Sequence, residues 1–240
     1  MMRTLSVLAM SDLHGFLPSF STDSADAALT AALRPEIESY DVAVIAGDVV
    51  PASSTFHVTT KDGLLKQVRW MHEQFIPWLS TIPAKHLVIT WGNHDWFADQ
   101  RGGSLVPLDW FPDHCHVLVN EGVTLDGVHF YGIPQTPRFY NWAFNEDDDS
   151  LNLGRRWADV DAQTDILVTH GPPYQVCDAV WQNRVRRQVG SRTQREWLLG
   201  LQHHPSDAEL ESPRPSLVIC GHVHASGGTT GMCGNARVYN

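Results

Sequence analysis

Five short apolar runs in this chain each break off into residues that bind metals or move protons. Leu5–Met10 gives way to Ser11-Asp12-Leu13-His14-Gly15, and Val42–Ala46 to Gly47-Asp48. Leu87–Trp91 runs into Gly92-Asn93-His94-Asp95, and Ile166–Val168 into Thr169-His170-Gly171-Pro172-Pro173. Leu217–Cys220 ends in Gly221-His222-Val223-His224. A lone histidine behind a strand is usually a hydrogen-bonded core or loop residue; five such blocks in one order are not so easily dismissed. Asp12, His14, Asp48, Asn93, His170, His222 and His224 offer carboxylate oxygen, imidazole nitrogen and amide oxygen, with no thiolate. That set suits Mn²⁺, Fe or Zn²⁺ better than a cysteine-held structural zinc or an all-oxygen calcium cage. It is too large for one ion. Two ions roughly 3.5–4 Å apart, bridged by a carboxylate and a hydroxide, would use it fully, as phosphate-ester-cleaving centres do. Asp12 and His14 are two apart, so extended backbone would turn both to one side, and His222 and His224 share that spacing.

The elements that must position these residues are legible from the same runs. Short, rich in Val, Ile and Leu and bounded by Gly or Pro, the runs read as buried strands. Between them, Ser24–Leu33 puts Ala25, Ala28, Leu29, Ala32 and Leu33 on one helical face. Asp62–Leu79 does the same with Leu64, Val68, Met71, Phe75 and Trp78, and Thr193–Leu201 is a third, shorter helix. Val123–Leu125 and His129–Gly132 flank Asp126-Gly127, a two-residue hairpin signal. Strands alternating with helices, then a hairpin, predict a layered α/β domain. In open α/β sheets, ligands collect beyond the carboxyl ends of the strands, where all five blocks fall. Pro51–Thr60 and Asp99–Pro107 read as loops, and Asn145-Glu146-Asp147-Asp148-Asp149 as a solvated acidic turn. No linker divides residues 1–240, which are expected to form a single domain.

Composition narrows the partners. Across 240 residues, 42% hydrophobic and 18% charged, the chain is neither disordered nor a coiled coil nor collagen-like. Seventeen Lys+Arg against 27 Asp+Glu leave a net charge of −10, which argues against a broad grip on duplex nucleic acid or an anionic membrane. A phosphate ligand stays open, because bound cations reverse the local sign. Cys115, Cys177, Cys220 and Cys233 have no CxxC spacing and read as thiols of a reducing compartment. The apolar stretch Leu5–Met10 is too short for a secretory segment, and no run approaches a membrane span, so a cytoplasmic location is expected.

Together, Asp12-x-His14, Gly47-Asp48, Gly92-Asn93-His94-Asp95, His170 and Gly221-His222-x-His224 resemble the calcineurin-like metallophosphoesterase superfamily. The resemblance implies a four-layer αββα sandwich of two mixed sheets flanked by helices, around a dinuclear metal centre. By position, Asp12, His14 and His224 would hold one ion and Asn93, His170 and His222 the other, with Asp48 bridging. Mn²⁺ is favoured, with Fe, Zn²⁺ or Ni²⁺ as alternatives. His94 would protonate or stabilise the leaving oxygen after attack by a metal-bridging hydroxide, and Asp95 would orient His94. Gly47-Asp48-Val49-Val50-Pro51 lacks the arginine of the serine/threonine protein phosphatases and the tyrosine of the purple acid phosphatases. Ile133-Pro134, the segment Phe139-Tyr140-Asn141-Trp142-Ala143-Phe144-Asn145, the His170 block, Asp178 and Gly190-Ser191 are similar to the metallophosphoesterase-domain-containing proteins, grouped with class III cyclic nucleotide phosphodiesterases. Gln175 departs from the glycine of that branch.

The implied activity is hydrolysis of a small nucleotide-like phosphodiester, a 2′,3′-cyclic nucleotide being favoured. A nuclease or phosphomonoesterase on the same centre, and a non-catalytic binding protein on a retained fold, are the alternatives. The metals fix only the phosphate, so the rest of the substrate must meet the cleft walls. The aromatic segment is either a hydrophobic plug or a wall in which Phe139 or Trp142 stacks a base, with His57 and Arg138 as weaker candidates.

Overall fold

The computed structural model describes residues 4–20, 38–52, 61–100, 102–201 and 215–240. The expected helix Ser24–Leu33, most of the loop Pro51–Thr60, and His57 lie outside the described residues.

Two sheets form the middle of the molecule. The first is β1 (Val7–Met10), β2 (Tyr40–Ala46), β3 (Ala84–Thr90) and β4 (Cys115–Val117), in that spatial order and with every pair parallel. The second pairs β5 (Glu121–Leu125) and β6 (Val128–Ile133) with later strands. Those are β9 (Ile166–Thr169), β12 (Leu217–Ile219), β13 (Thr230–Cys233) and β14 (Ala236–Tyr239). Its order is β13-β14-β12-β9-β6-β5, parallel in the middle and antiparallel at both edges. Only this second sheet is mixed; the first, where a mixed sheet was expected, is wholly parallel among the described strands, as crossover connections require.

Burial explains the layers. Val42, Val44 and Ala46 of β2 and Val88 of β3 pack against Phe130, Ile166, Val168 and Ile219 of the second sheet. The alternate residues Ala43 and Ile45 face outward against Met71, Phe75, Trp78 and Leu79. On the far side, Leu167 and Val218 pack against Trp157, Trp197 and Leu198. The order is therefore helix, sheet, sheet, helix. Strands buried on both faces read as continuous apolar runs rather than alternating ones, which is why they were visible in the sequence. Fully hiding Phe75 or Met71 contributes about 1.5–3 kcal/mol each.

The helix expected over Asp62–Leu79 is one helical stretch with a widened middle. Lys61–Trp70 is α-helical, Met71–Phe75 is a π turn and Ile76–Leu79 is α-helical again. The cause is Pro77, which supplies no N–H and crowds the carbonyl of Glu73; Ile76 N–H instead reaches back to the Met71 carbonyl. The helix expected at Thr193–Leu201 runs Arg192–Leu198, stopped by Leu199 and by Gly200 at φ +69°. Ser191 Oγ caps it by accepting Gln194 N–H at 3.0 Å. Asp126 and Gly127, both at positive φ, turn the β5–β6 hairpin as expected.

The acidic segment 145–149 is more than a solvated turn. Asn145–Glu146 (β8) pairs with Thr136–Pro137 (β7). The Asp148 carboxylate accepts Ser191 Oγ at 2.8 Å and Arg192 N–H at 2.7 Å, tying this segment to the start of the Arg192–Leu198 helix. All four cysteines are free thiols, two buried and two half-buried. Among the described residues no helix is long and apolar enough to cross a membrane.

Candidate metal centre

Asp12 and His14 follow β1, Asp48 follows β2, and Asn93, His94 and Asp95 follow β3; His170 follows β9, and His222 and His224 follow β12. All five blocks thus leave the carboxyl ends of parallel strands on one side of the paired sheets. The loops are zipped together by backbone bonds: Asp12 N–H to Gly47 O and His14 N–H to Asp48 O, both 3.0 Å, and Gly15 N–H to Val49 O at 2.9 Å.

Extended backbone does not place these donors. Asp12, His14, Asp48 and His222 sit at φ +52°, +45°, +55° and +70°, the left-handed region that costs L-residues roughly 1–2 kcal/mol each. That strain turns the side chains inward at places where an extended strand would carry them past. The pair His222 and His224 consequently splits: His222 packs on His170, while His224, opening a 3₁₀ turn (His224–Ser226), reaches Asp12 and His14. Glycine is needed where loops nearly touch. A Cβ on Gly47 would stand 2.5 Å from His170 Nδ1, and one on Gly92 would strike the Asp48 carboxylate.

Among the described residues three groups of donor atoms result, each with its atoms within 4.8 Å of one another: Asp12, His14 and His224; His14, Asp48 and His94; and Asp48, His170 and His222. His224 Nε2 lies 3.2 Å from Asp12 Oδ1 and 3.2 Å from His14 Nε2. Asp48 Oδ2 stands between the two outer groups, 3.4 Å from His170 Nε2 and 3.8 Å from His14 Nε2. Asn93 Oδ1 is 3.0 Å from His170 Nε2. His170 Nδ1 is 2.9 Å from the Ala46 carbonyl, to which it donates, so Nε2 is the ring nitrogen turned to the centre. Imidazole nitrogens meeting at 3.2 Å beside two carboxylates form a set that a cation completes. The residues fit divalent ions.

The electrostatics of these groups follow from burial. Burial lowers the basicity of His170, but the Asp48 carboxylate beside it outweighs that and raises its pKa to about 9. Asp48 is itself held well below the carboxylate range: burial works against its charge, and His170 and then His94 overcome it. Burial and the charge on His170 drive His222 down to about 4. One imidazole is thus charged against Asp48 and its neighbour is neutral and ready to donate a lone pair.

Asp95 does something other than orient His94. Its Oδ2 accepts Asp48 N–H at 2.9 Å and Gly92 N–H at 2.8 Å; its Oδ1 accepts Val49 and Val50 N–H at 3.0 and 3.1 Å. Four amides occupy the lone-pair sites of a carboxylate, so Asp95 clamps the backbone on which Asp48 rides. Burial and the Asp48 charge push its pKa up to about 7, the amides of Gly92 and Val50 pulling the other way. A residue the sequence reasoning missed serves the same loop. Gln67, buried on the apolar face of its helix, donates to the His94 carbonyl at 3.1 Å and accepts Phe97 N–H at 3.0 Å. A glutamine between Leu64 and Met71 on an otherwise apolar stripe was the signal.

The aromatic segment divides between the core and the rim of the centre. Ala143 and Phe144 are buried in the core, Ala143 N–H bonding the Asn93 carbonyl at 3.1 Å. Trp142 instead lies on His94, ring centroids 4.5 Å apart, and Phe139, 36% exposed, lies 5.3 Å from the His222 ring. His94 Nε2 is 3.9 Å from Asp48 Oδ2. Arg138 is not part of this wall; it pairs with Asp147 at 2.5 Å. Gln175 is exposed at φ +65°, a conformation that explains why glycine suits this position.

A helix–sheet–sheet–helix sandwich carrying clustered imidazole, carboxylate and amide donors at its strand ends is the build of a metal-dependent hydrolase. Residues 5–226 match the calcineurin-like phosphoesterase family, and the chain belongs to it. It is 29% identical over 198 residues to human metallophosphoesterase domain-containing protein 1, covering 74% of this chain and 54% of that protein. It is also 28% identical over 210 residues to a probable rhamnogalacturonate lyase C of Emericella nidulans, covering 83% of this chain and 17% of that protein. The chain therefore spans about half, or less, of these relatives' length. A solved structure superposes with a TM-score of 0.62 at 14% identity, covering 98% of this chain and 89% of the other, a likeness of fold.

Proposed function

We propose that this chain hydrolyses a small nucleotide-like phosphodiester, a 2′,3′-cyclic nucleotide first among them, with two divalent cations, Mn²⁺ foremost. The observation that carries the reading is the placement of Asp48 between two histidine-containing donor groups at one end of the sheets. Asp12, His14 and His224 would hold one ion, Asn93, His170 and His222 the other, and Asp48 both. When bound, such ions lower the pKa of water and neutralise charge on phosphoryl oxygens.

The protein's own groups supply the rest. His94, half-buried at the rim, would give a proton to the leaving oxygen. Trp142 backs its ring and limits the angles that ring can take. Asp95 and Gln67 hold the two loops in register, so Asp48 and His94 meet the substrate with little reorganisation. Phe139 and Trp142 present faces on which a nucleobase stacks. The seat of action is expected in the cytoplasm, where the four free thiols persist.

A substrate panel tests this. Metal-depleted protein, reconstituted separately with Mn²⁺, Zn²⁺, Mg²⁺ and Ni²⁺, is assayed on bis(p-nitrophenyl) phosphate, its monoester, and 2′,3′- and 3′,5′-cyclic nucleotides. Diester turnover with the 2′,3′-cyclic nucleotide preferred is the expected result. Free phosphate from the monoester at higher kcat/KM than any diester would overturn it.

A further inference from the structure

Beside the metal centre stands a feature that the proposed chemistry does not use. Ala179–Gln182 (β10) and Val185–Gln188 (β11) form a separate two-stranded antiparallel hairpin, turned by Asn183 and Arg184, both at positive φ. An isolated hairpin is marginal in water, but this one is fixed at its root. The buried Asp178 carboxylate accepts Gln175 N–H and Gly190 N–H, each at 2.9 Å, tying the two ends together. Ser226 Oγ donates to the Ala179 carbonyl at 3.2 Å, so the root sits on the same 3₁₀ turn that carries His224. From that root the strand reaches roughly 14 Å to its tip.

Its surface chemistry contrasts with the rest of the molecule. In a chain of net charge −10, the hairpin carries Arg184, Arg186 and Arg187, all exposed, and none is ion-paired with a described residue. Trp181 is 70% exposed and lies directly across from Arg186, so the two side chains share one face. Arg187, one residue on and across from Val180, opens to the other face, so the open indole stands beside the Arg186 guanidinium with Arg184 at the tip; that fits a base stacked on the ring and phosphates on these two arginines.

We propose that this hairpin binds the upstream nucleotides of a short single-stranded oligonucleotide whose terminal phosphodiester lies at the metal centre. This rests on the phosphodiesterase reading, and it enlarges the substrate from a mononucleotide to the cyclic-phosphate end of a strand. Duplex is disfavoured, because a flat aromatic face engages unstacked bases and the surrounding surface is acidic.

Two measurements test it. Fluorescence anisotropy of a labelled octauridylate with metal-depleted full-length protein reads binding without turnover. Arg184→Gln/Arg186→Gln together should weaken binding at least 10-fold and reduce the slope of log K against log salt by about 1.4, with Arg187→Gln on the opposite face changing both less. Trp181→Ala should weaken it about 5- to 150-fold. With Mn²⁺, the double variant and Trp181→Ala should raise KM for an oligonucleotide ending in a 2′,3′-cyclic phosphate. They should leave KM for the cyclic mononucleotide and turnover of bis(p-nitrophenyl) phosphate within about twofold. Equal affinity and salt slope in wild type and variants would overturn the hairpin's role, as would binding to anionic phosphatidylserine vesicles but not to oligonucleotide. Failure of the wild type to cleave the small diesters would instead overturn the phosphodiesterase reading; the anisotropy result is independent of it.

Discussion

Replacing Asp48 by Asn keeps the shape of the side chain and removes the charge at the middle of the centre. That charge lies 3.4 Å from His170 Nε2. At the effective dielectric that best describes such sites, two unit charges at this distance attract by about 5 kcal/mol. Each 1.36 kcal/mol moves a titration midpoint tenfold in proton concentration. Losing the attraction therefore carries His170 from about 9 to below neutrality, burial then being opposed only by the weaker pull of the Asp12 charge and the Ala46 carbonyl. The assay is a pH titration of the histidine rings by two-dimensional NMR in excess chelator. A His170 resonance that titrates at the same pH in wild type and Asp48→Asn would refute the pairing. Stability follows with a definite sign: a histidine whose folded pKa is raised stabilises the fold at low pH, and that contribution is lost between about 6.5 and about 9 as pH rises. The variant should lack this decline. It should also lose turnover and most metal uptake, since one substitution touches both ion positions.

Other perturbations separate chemistry from scaffold. His94→Gln should keep the metal content while lowering kcat about 10²–10⁴-fold on nucleotides and less on p-nitrophenyl esters, whose leaving group needs little protonation; equal losses on both would show His94 only positions substrate. Trp142→Ala should raise KM for a cyclic nucleotide about 5- to 150-fold while sparing bis(p-nitrophenyl) phosphate, and a loss shared by both substrates with a lowered Tm would make the ring a structural prop. Metal addition to depleted protein at pH 7 should release about one proton, because His170 must give one up before its lone pair is free; calorimetry in buffers of differing ionisation enthalpy measures it, and no release would contradict a charged His170. Asp148→Ala should cost about 1–3 kcal/mol in urea unfolding, since it leaves Arg192 N–H and Ser191 Oγ without their acceptor; no change would mean the acidic turn is merely solvated.

What the sequence disclosed and what it hid have physical reasons. Strands β2, β3 and β9 were plain because burial on both faces makes them continuously apolar, and each block of donors could be placed at a strand end. The Asp126-Gly127 hairpin was plain because few residue pairs adopt that turn. The inward turn of these donors was hidden, since left-handed backbone at Asp12, His14 and Asp48 is imposed by neighbouring loops. The true work of Asp95 was hidden for a related reason: its partners are backbone amides, which no sequence pattern displays. The β10–β11 hairpin escaped because most of its residues are exposed and carry no apolar alternation. Asp148 escaped because its partners are 43 to 45 residues away.

Metal stoichiometry measured together with activity reaches the central claim most directly. Chelator-treated protein is titrated with Mn²⁺, bound metal is quantified per chain, and hydrolysis of bis(p-nitrophenyl) phosphate is followed at each point. Turnover should be absent without metal and rise to a plateau as two ions bind per wild-type chain, with Asp48→Asn neither filling nor turning over. Turnover that persists in chelator, or a wild-type chain that takes up no stoichiometric metal, would contradict it.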